Sequence, residues 1–129
     1  MATVQCFEDL KIWKMAREFC LDIIRITGYE QFSKDYKLKD QIKASSGSIM
    51  DNIAEGFERG GNKEFIQFLA ISKGSSGEAR SQLHRAFDNQ YIQEEEYHLL
   101  CQKAKDISKS ISALITYLKQ SEMKGTKYK

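Results

Sequence analysis

The two histidines are the residues with the clearest capacity to bind a metal ion. Glu95 and His98 have the Glu-x-x-His spacing that supplies part of a di-iron site inside a four-helix bundle. The other histidine, His84, has Ser81 three residues before it instead of a glutamate, so the second pair that such a site requires is missing. The spacing therefore gives a metal site only weak support.

Other catalytic chemistry has less support. No Gly-x-Ser-x-Gly sequence is present, so the sharp turn that presents a hydrolase serine is not predicted. The sequence "GSSG" at 74–77 lacks the lysine of a phosphate-binding loop and follows no predicted strand. The three cysteines have no paired spacing, and we expect Cys20 and Cys101 to be reduced core thiols. The sequence predicts no enzyme activity, no cofactor and no metal.

Polar residues at helical spacing occupy "SIMDNIAEGFERGGNKEF", residues 48–65. Asn52 and Glu55 lie almost one turn apart, and Arg59 follows Glu55 by four residues, the favourable order for a helical ion pair. Glu78 lies further along the chain. One interpretation is that these four side chains form hydrogen bonds between helices and fix their register. The other is that they form a polar surface for a partner.

Basic residues are numerous, but most are interleaved with acidic ones, and the net charge is only +2. The end of the chain differs, since four lysines accompany one glutamate from Lys119 onward. A ring of several copies would let weak phosphate contacts add up. The candidate nucleic-acid contacts are Lys11, Lys14, Arg17, Lys43, Lys119, Lys124 and Lys127.

Four segments must position these side chains. Apolar residues recur at steps of three and four at about 7–27, 34–57, 62–89 and 94–121, which predicts four amphipathic helices. The chain has no proline, and the connections are short. We therefore predict an all-α, antiparallel up-down-up-down four-helix bundle over residues 1–121, followed by a frayed lysine-rich tail at 122–129.

The predicted helix ends rest on capping residues. Gly28 is a plausible stop in the left-handed conformation, and Gly60 and Gly61 end the second helix. Ser33 and Asn62 are the candidate N-caps of the second and third helices.

The stretch "AISKGSSGEARSQLHRA", residues 70–86, has the composition of a linker, with two glycines and four serines. The apolar stripe nevertheless keeps its helical phase across it, from Phe65 and Phe68 to Leu83 and Ala86. We therefore predict one continuous helix whose small residues let a neighbouring helix approach closely. On this basis Gly74→Leu should disrupt the bundle.

The composition, with 41% apolar and 29% charged residues, predicts a soluble globular domain. No basic-then-apolar leader or membrane-spanning stretch is apparent, so we expect a cytoplasmic protein without a membrane partner.

Four stretches together resemble the four-helix-bundle proteins encoded by intervening sequences in bacterial 23S ribosomal RNA genes. They are "FEDLKIW" at 7–13, "LKDQI" at 38–42, "SIMDNIAEGFER" at 48–59 and "KEFIQFLAISKGSSGE" at 63–78. The resemblance extends to about Leu118. The family motif positions map to Asn52, Glu55, Gly56, Arg59, Phe65, Phe68, Gly74, Ser75 and Glu78.

This resemblance implies a left-handed bundle that assembles as a homopentameric ring. It also implies kinship with the accessory proteins of diversity-generating retroelements, which are basic pentameric barrels that bind nucleic acid. The leading hypothesis is therefore a non-enzymatic oligomer that binds structured RNA or other nucleic acid through basic surfaces. The alternative is a protein–protein adaptor or scaffold ring with no direct nucleic-acid contact.

Overall fold

Four long helices pack around one core. The computed structural model describes residues 4–123, with side chains through residue 121. A short 3-10 helix at Phe7–Asp9 precedes the α-helices, and no strand occurs among the described residues. The α-helices are α1 (Lys11–Thr27), α2 (Glu30–Lys34), α3 (Tyr36–Glu58), α4 (Asn62–Asp88) and α5 (Glu94–Met123). The predicted all-α bundle is confirmed.

The long helices are antiparallel to their neighbours, since the contacting residue numbers rise along one helix as they fall along the other. On α3 and α4, Ser45 bonds Gln82 whereas Ser48 bonds Ser75, so these two helices are antiparallel. The α1–α5 seam runs the same way, since Arg25 bonds Glu96 and Lys103 bonds Glu18. Each long helix packs against two others, α1 and α4 each lying beside both α3 and α5. The left-handed sense of the bundle stays a prediction.

The core follows one stripe of each long helix, as the periodicity predicts. In α5 the stripe is buried at five positions, and in α3 the isoleucines at 42, 49 and 53 face it. The buried residues of the α5 stripe are Leu100, Ala104, Ile107, Ile111 and Leu118.

Two helix boundaries differ from the sequence prediction. α1 begins at Lys11 because Leu10 has an extended backbone, with ψ of 130°, that separates it from the 3-10 helix at Phe7–Asp9. The connection after α1 contains α2, which the sequence analysis did not predict. Phe32 of α2 is fully buried and stacks on Tyr91 at 5.1 Å between ring centroids, so this short helix closes one end of the core.

The N-cap predictions at Ser33 and Asn62 are wrong. Asp35 caps α3, and its carboxylate accepts a hydrogen bond of 3.0 Å from the backbone N–H of Leu38. Gly61 is the N-cap of α4, and the Asn62 amide instead donates to the Leu118 carbonyl across to α5.

The glycines at the helix ends behave differently from one another. Gly28 ends α1 with φ of −87°, which is right-handed backbone, so the predicted left-handed stop is wrong there. Gly60 has φ of +87°, a left-handed conformation that favours glycine, and it ends α3 as predicted.

The continuous helix through the glycine- and serine-rich stretch is confirmed, but the role given to Gly74 is wrong. Ser72, Ser75, Ser76 and Ala79 face the core, whereas Gly74 is exposed and an added Cβ would meet no atom within 4 Å. The close approach occurs instead at Gly56. Gly74→Leu is therefore not expected to force the helices apart.

Candidate interaction surfaces

Buried serines line the seams between helices. Ser72 Oγ donates to the Ile49 carbonyl of α3 at 2.8 Å, and Ser76 Oγ donates to the Ala104 carbonyl of α5 at 2.8 Å. Small side chains at these positions allow the helices to approach, and the neighbouring backbone satisfies each buried hydroxyl. Within residues 70–86, the predicted close approach of neighbouring helices thus occurs at serines and not at the glycines.

Two short hydrogen-bonded chains continue outward from the α3–α4 seam. Ser75 Oγ donates to Ser48 Oγ at 2.9 Å, and the Asn52 amide donates to the same Ser48 oxygen. Ser45 Oγ donates to Gln82 Oε1 at 2.6 Å. These contacts fix the register of α3 against α4.

The hydrogen bonds that the sequence predicts between helices from four polar motif residues are not found in the described part of the chain. Asn52 bonds Ser48, Glu55 pairs with Arg59 at 3.0 Å, and Glu78 accepts from Gln82, so each contact stays within one helix. Asn52 and Glu78 reach the seam only through Ser48 and Gln82, because a side chain one position off the stripe meets its own helix first.

The family motif positions gather along the α3–α4 seam. Gly56 and Phe65 are buried within it. Arg59 places its guanidinium over the Phe68 ring, 5.1 Å from the centroid. Asn52, Ser75 and Glu78 flank the serine contacts, and Gly74 points outward.

The cysteines are poorly placed for reaction. Burial raises the pKa of the Cys20 thiol, which donates to the Ser46 carbonyl at 3.2 Å. Burial likewise raises the pKa of Cys101. Since the thiolate is the reactive form, both sites disfavour nucleophilic chemistry. Cys101 is buried as predicted, and Cys20 is half-buried.

The histidines do not assemble a metal site with the predicted partner. His98 Nε2 faces Glu94 at 3.5 Å and not Glu95, and all three side chains are exposed. His84 shares a hydrogen bond of 2.6 Å with the Tyr97 hydroxyl. Within residues 4–121, no three His, Cys, Asp or Glu side chains are grouped to hold a metal ion.

Several charges are used internally at the α1–α5 seam. Burial alone would raise the pKa of Asp22, but hydrogen bonds from Lys103 and Arg25, each 2.8 Å long, outweigh it and lower that pKa. The hydrogen bond to Asp22 raises the pKa of Lys103. Arg25 also donates to Glu96 at 2.8 Å. Both bases are thus paired with carboxylates of the same chain.

The predicted nucleic-acid contacts are exposed where the structure describes them. Lys11, Lys14, Arg17, Lys43 and Lys119 form no ion pair with any described residue, whereas Lys124 and Lys127 lie outside the described residues. Three of them share the first two turns of α1. Lys43 lies on α3 and Lys119 lies on α5, so these five residues are spread over three helices.

A basic and aromatic stripe on α3 escaped the sequence analysis. Tyr36 is 70% exposed, and the Lys39 ammonium lies 5.0 Å from its ring centroid. Lys43 follows Lys39 by one turn on the same face of the helix. An exposed aromatic ring beside two unpaired ammonium groups suits stacking on a base and contact with phosphates. The signal was the tyrosine among lysines in "KDYKLKDQIK", residues 34–43.

The geometry defines a class: antiparallel bundles of long helices whose core seam is lined with serines. The 23S rRNA-intervening sequence protein family matches residues 8–113, and the chain belongs to that family. Its fold is similar to the crystal structure of a protein of unknown function from the S23 ribosomal protein family of Bacteroides thetaiotaomicron. That likeness has a TM-score of 0.74 and 25% identity over 81% of this chain and 97% of that chain. Among curated proteins, none matches the chain.

A helix must be both long and apolar to cross a lipid bilayer. None in the described range combines the length and the apolar character that a crossing requires.

Proposed function

We propose that this protein is a non-enzymatic homo-oligomer that binds nucleic acid, with structured RNA containing exposed single-stranded bases as its ligand. The observation that carries the proposal is the basic and aromatic α3 stripe of Tyr36, Lys39 and Lys43, in which the ring is exposed and neither ammonium is paired with a carboxylate of the described residues. The resemblance of the sequence to ring-forming bundles supports the oligomer and suggests five copies.

The chemistry of the stripe fits an unpaired loop better than a continuous duplex. Base–aromatic stacking contributes about 1–3 kcal/mol per base and requires an unstacked base. Each lysine that contacts a phosphate also displaces about one counterion, which makes affinity depend on salt. One stripe gives weak binding, and several copies on one RNA strengthen it.

A binding assay with matched variants tests this function. Fluorescence anisotropy with a labelled ribosomal RNA hairpin should show an affinity that falls steeply as the salt concentration rises from about 50 mM to about 200 mM. Tyr36→Ser should weaken binding roughly 10-fold or more, and Lys39→Gln should reduce the salt slope by about one. Lys73→Gln, an exposed lysine on α4, is the matched control. Affinity that is independent of salt and unchanged by both α3 variants would remove the proposal.

The adaptor alternative has one observation in its favour. Ile71 and Leu99 are large apolar residues that are more than half exposed, as in protein-binding surfaces. A pull-down at moderate salt with added nuclease separates the two functions. A protein partner that persists after nuclease treatment supports the adaptor, and loss of all captured material supports nucleic-acid binding.

A further inference from the structure

The outward face of α1 carries a stripe that nothing in the described chain covers. Lys14, Arg17, Leu21 and Ile24 follow one another at steps of three and four and are all exposed. Leu21 is 58% exposed and Ile24 is 56% exposed. Steps of three and four are the spacing by which one helix presents a seam to another.

The basic charges of this stripe are also not neutralised by the acidic residues of α1. The acidic residues of α1, Glu18 and Asp22, both turn toward α5, where Lys103 binds them. Lys14 and Arg17 form no ion pair with a described residue. The α1 stripe is therefore basic at its first half and apolar at its second.

The outward face of α3 has the opposite character. Its residues also recur at steps of four and three and alternate acidic with small side chains. At Gly47 an added Cβ would meet no atom within 4 Å, so the middle of the stripe is open. The three acids at 40, 51 and 58 form no ion pair with any residue in the described range. The acidic α3 stripe consists of Asp40, Ala44, Gly47, Asp51, Ala54 and Glu58, and Lys43 lies at its edge, one turn before Gly47.

The two stripes match residue by residue when the helices are antiparallel. If Leu21 is set against Gly47, equal steps along both helices set Ile24 against Ala44. The two large apolar side chains then fall on the two smallest positions of the α3 stripe. The same register sets Arg17 against Asp51 and places Lys14 between Asp51 and Glu58. A parallel arrangement that pairs Arg17 with Asp40 sets Lys14 against Lys37 and loses this match.

A ring of copies would set α1 of one copy against α3 of the next in this same register. Within one chain, α1 and α3 lie side by side, and Cys20 bonds the Ser46 carbonyl, so Arg17 and Asp51 lie at nearly the same level along the bundle. A rotation about an axis parallel to the bundle leaves every residue at its own level. It therefore brings α1 of one copy against α3 of the next in that register, to within about two residues, or about 3 Å.

We propose that the α1 stripe of one copy docks antiparallel on the acidic α3 stripe of the next copy, head to tail, and that repetition of this contact closes a ring. The inference rests on the proposed self-association and adds the surfaces and their register. The contact joins two different faces, so an isolated dimer leaves one face of each kind free, and closure satisfies both. Lys14 and Arg17 then contact the neighbouring copy and not phosphates, which leaves Tyr36 and Lys39 for the nucleic acid, with Lys43 at the edge of the contact.

Charge reversal on each face tests the contact with the full-length chain. Lys14→Glu/Arg17→Glu alters the α1 stripe, Asp51→Lys/Glu58→Lys alters the α3 stripe, and a four-fold variant combines both. Multi-angle light scattering after gel filtration measures the mass. Each double variant should be monomeric, and their equimolar mixture should assemble into larger species in which the two variants alternate, because the α1 stripe of each is opposite in charge to the α3 stripe of the other. The four-fold variant should regain the wild-type mass, because both faces have exchanged sign.

Controls separate this inference from the function on which it rests. Lys73→Glu and Glu95→Lys reverse exposed charges outside the stripes and should keep the wild-type mass. Circular dichroism melting checks that each variant is folded. A monomeric wild type would end the proposed self-association itself. An oligomeric wild type with an Asp51→Lys/Glu58→Lys variant of unchanged mass would overturn only the head-to-tail contact.

A second test leaves the charge unchanged. Gly47→Trp fills the position opposite Leu21 and should give a folded monomer. Gly77→Trp, at an equally open position on α4, should remain assembled. A Gly47→Trp variant that keeps the wild-type mass would show that Gly47 does not lie in the contact and would overturn the proposed register.

Discussion

At the scale of single residues, the face on which a small side chain lies decides what it does. A Cβ at Gly56 would lie 2.6 Å from the Phe68 Cβ and 3.0 Å from a Phe65 ring carbon, so α3 and α4 meet there only because the side chain is absent. The same substitution at Gly74 meets open space. Two glycines in helices of one sequence thus have opposite significance.

Alanine at these two positions should therefore shift stability in opposite directions. Gly56→Ala should lower the free energy of unfolding by about 1–3 kcal/mol, because a packed seam must open. Gly74→Ala should raise it by up to about 1 kcal/mol, since alanine is the better helix former at an exposed position. Urea denaturation of both variants measures the difference. A destabilised Gly74→Ala would contradict the outward placement of that glycine.

The buried hydroxyl of Ser45 gives a second prediction at this scale. Ser45→Ala leaves Gln82 Oε1 without its donor in a position that is 5% exposed, and an unsatisfied buried acceptor costs about 1–3 kcal/mol. Ser81→Ala, on the exposed face of α4, is the matched control and should change stability by less than about 0.5 kcal/mol. Chemical denaturation of the pair gives the difference, and equal midpoints would argue against the Ser45–Gln82 bond.

At the scale of elements, periodicity predicts the four long helices because each must bury one stripe. Steps of three and four from Phe65 and Phe68 pass through Ser72 and Ala79 and not through Gly74, so the error at Gly74 came from the glycine-rich composition and not from the helical phase. α2 could not be predicted, because five residues are too few to show a period, and the burial of Phe32 holds it in place. The choice between Ser33 and Asp35 as N-cap depends on where α2 ends.

The N-cap of α3 should make stability depend on pH. The hydrogen bonds from the Leu38 N–H and the Tyr91 hydroxyl lower the pKa of Asp35 in the folded state. A lowered folded pKa stabilises the protein above the unfolded pKa, and this stabilisation is lost as pH falls through the folded value. Between about pH 5 and pH 2, the wild type should therefore lose more stability than Asp35→Asn, which keeps a capping side chain but does not titrate.

The measurement is thermal melting of both proteins across that pH range. Asp35→Ala serves as a second comparison, because it removes the cap and should cost about 1 kcal/mol at neutral pH. Parallel pH curves for the wild type and Asp35→Asn would mean that the Asp35 carboxylate is not stabilised by folding.

At the scale of the whole molecule, the functional surfaces follow from the fold more than from the sequence order. Although the net charge is small, Arg25 and Lys103 are paired across α1 and α5, whereas Lys14, Arg17, Lys39 and Lys43 form no ion pair with any described residue. No reading along one helix fully separates these two sets, because Glu96 lies on a different helix from Arg25, and Glu18 and Asp22 lie on a different helix from Lys103. The charged candidates were therefore identifiable from the sequence, but their grouping into separate α1 and α3 stripes was not.

Assembly and nucleic-acid binding should then be coupled, because an oligomer presents several copies of the basic and aromatic α3 stripe to one RNA. Gly47→Trp keeps Tyr36, Lys39 and Lys43 and the net charge, so one chain of this variant should bind a short single-site RNA as the wild type does. On an RNA long enough to reach several copies, the wild type should bind about 10²–10⁴-fold more tightly than the monomeric variant, because linked sites raise the effective concentration. Gly77→Trp should match the wild type on both RNAs. A Gly47→Trp monomer that equals the wild type on the long RNA would mean that one chain holds the complete binding surface and that the ring serves another purpose.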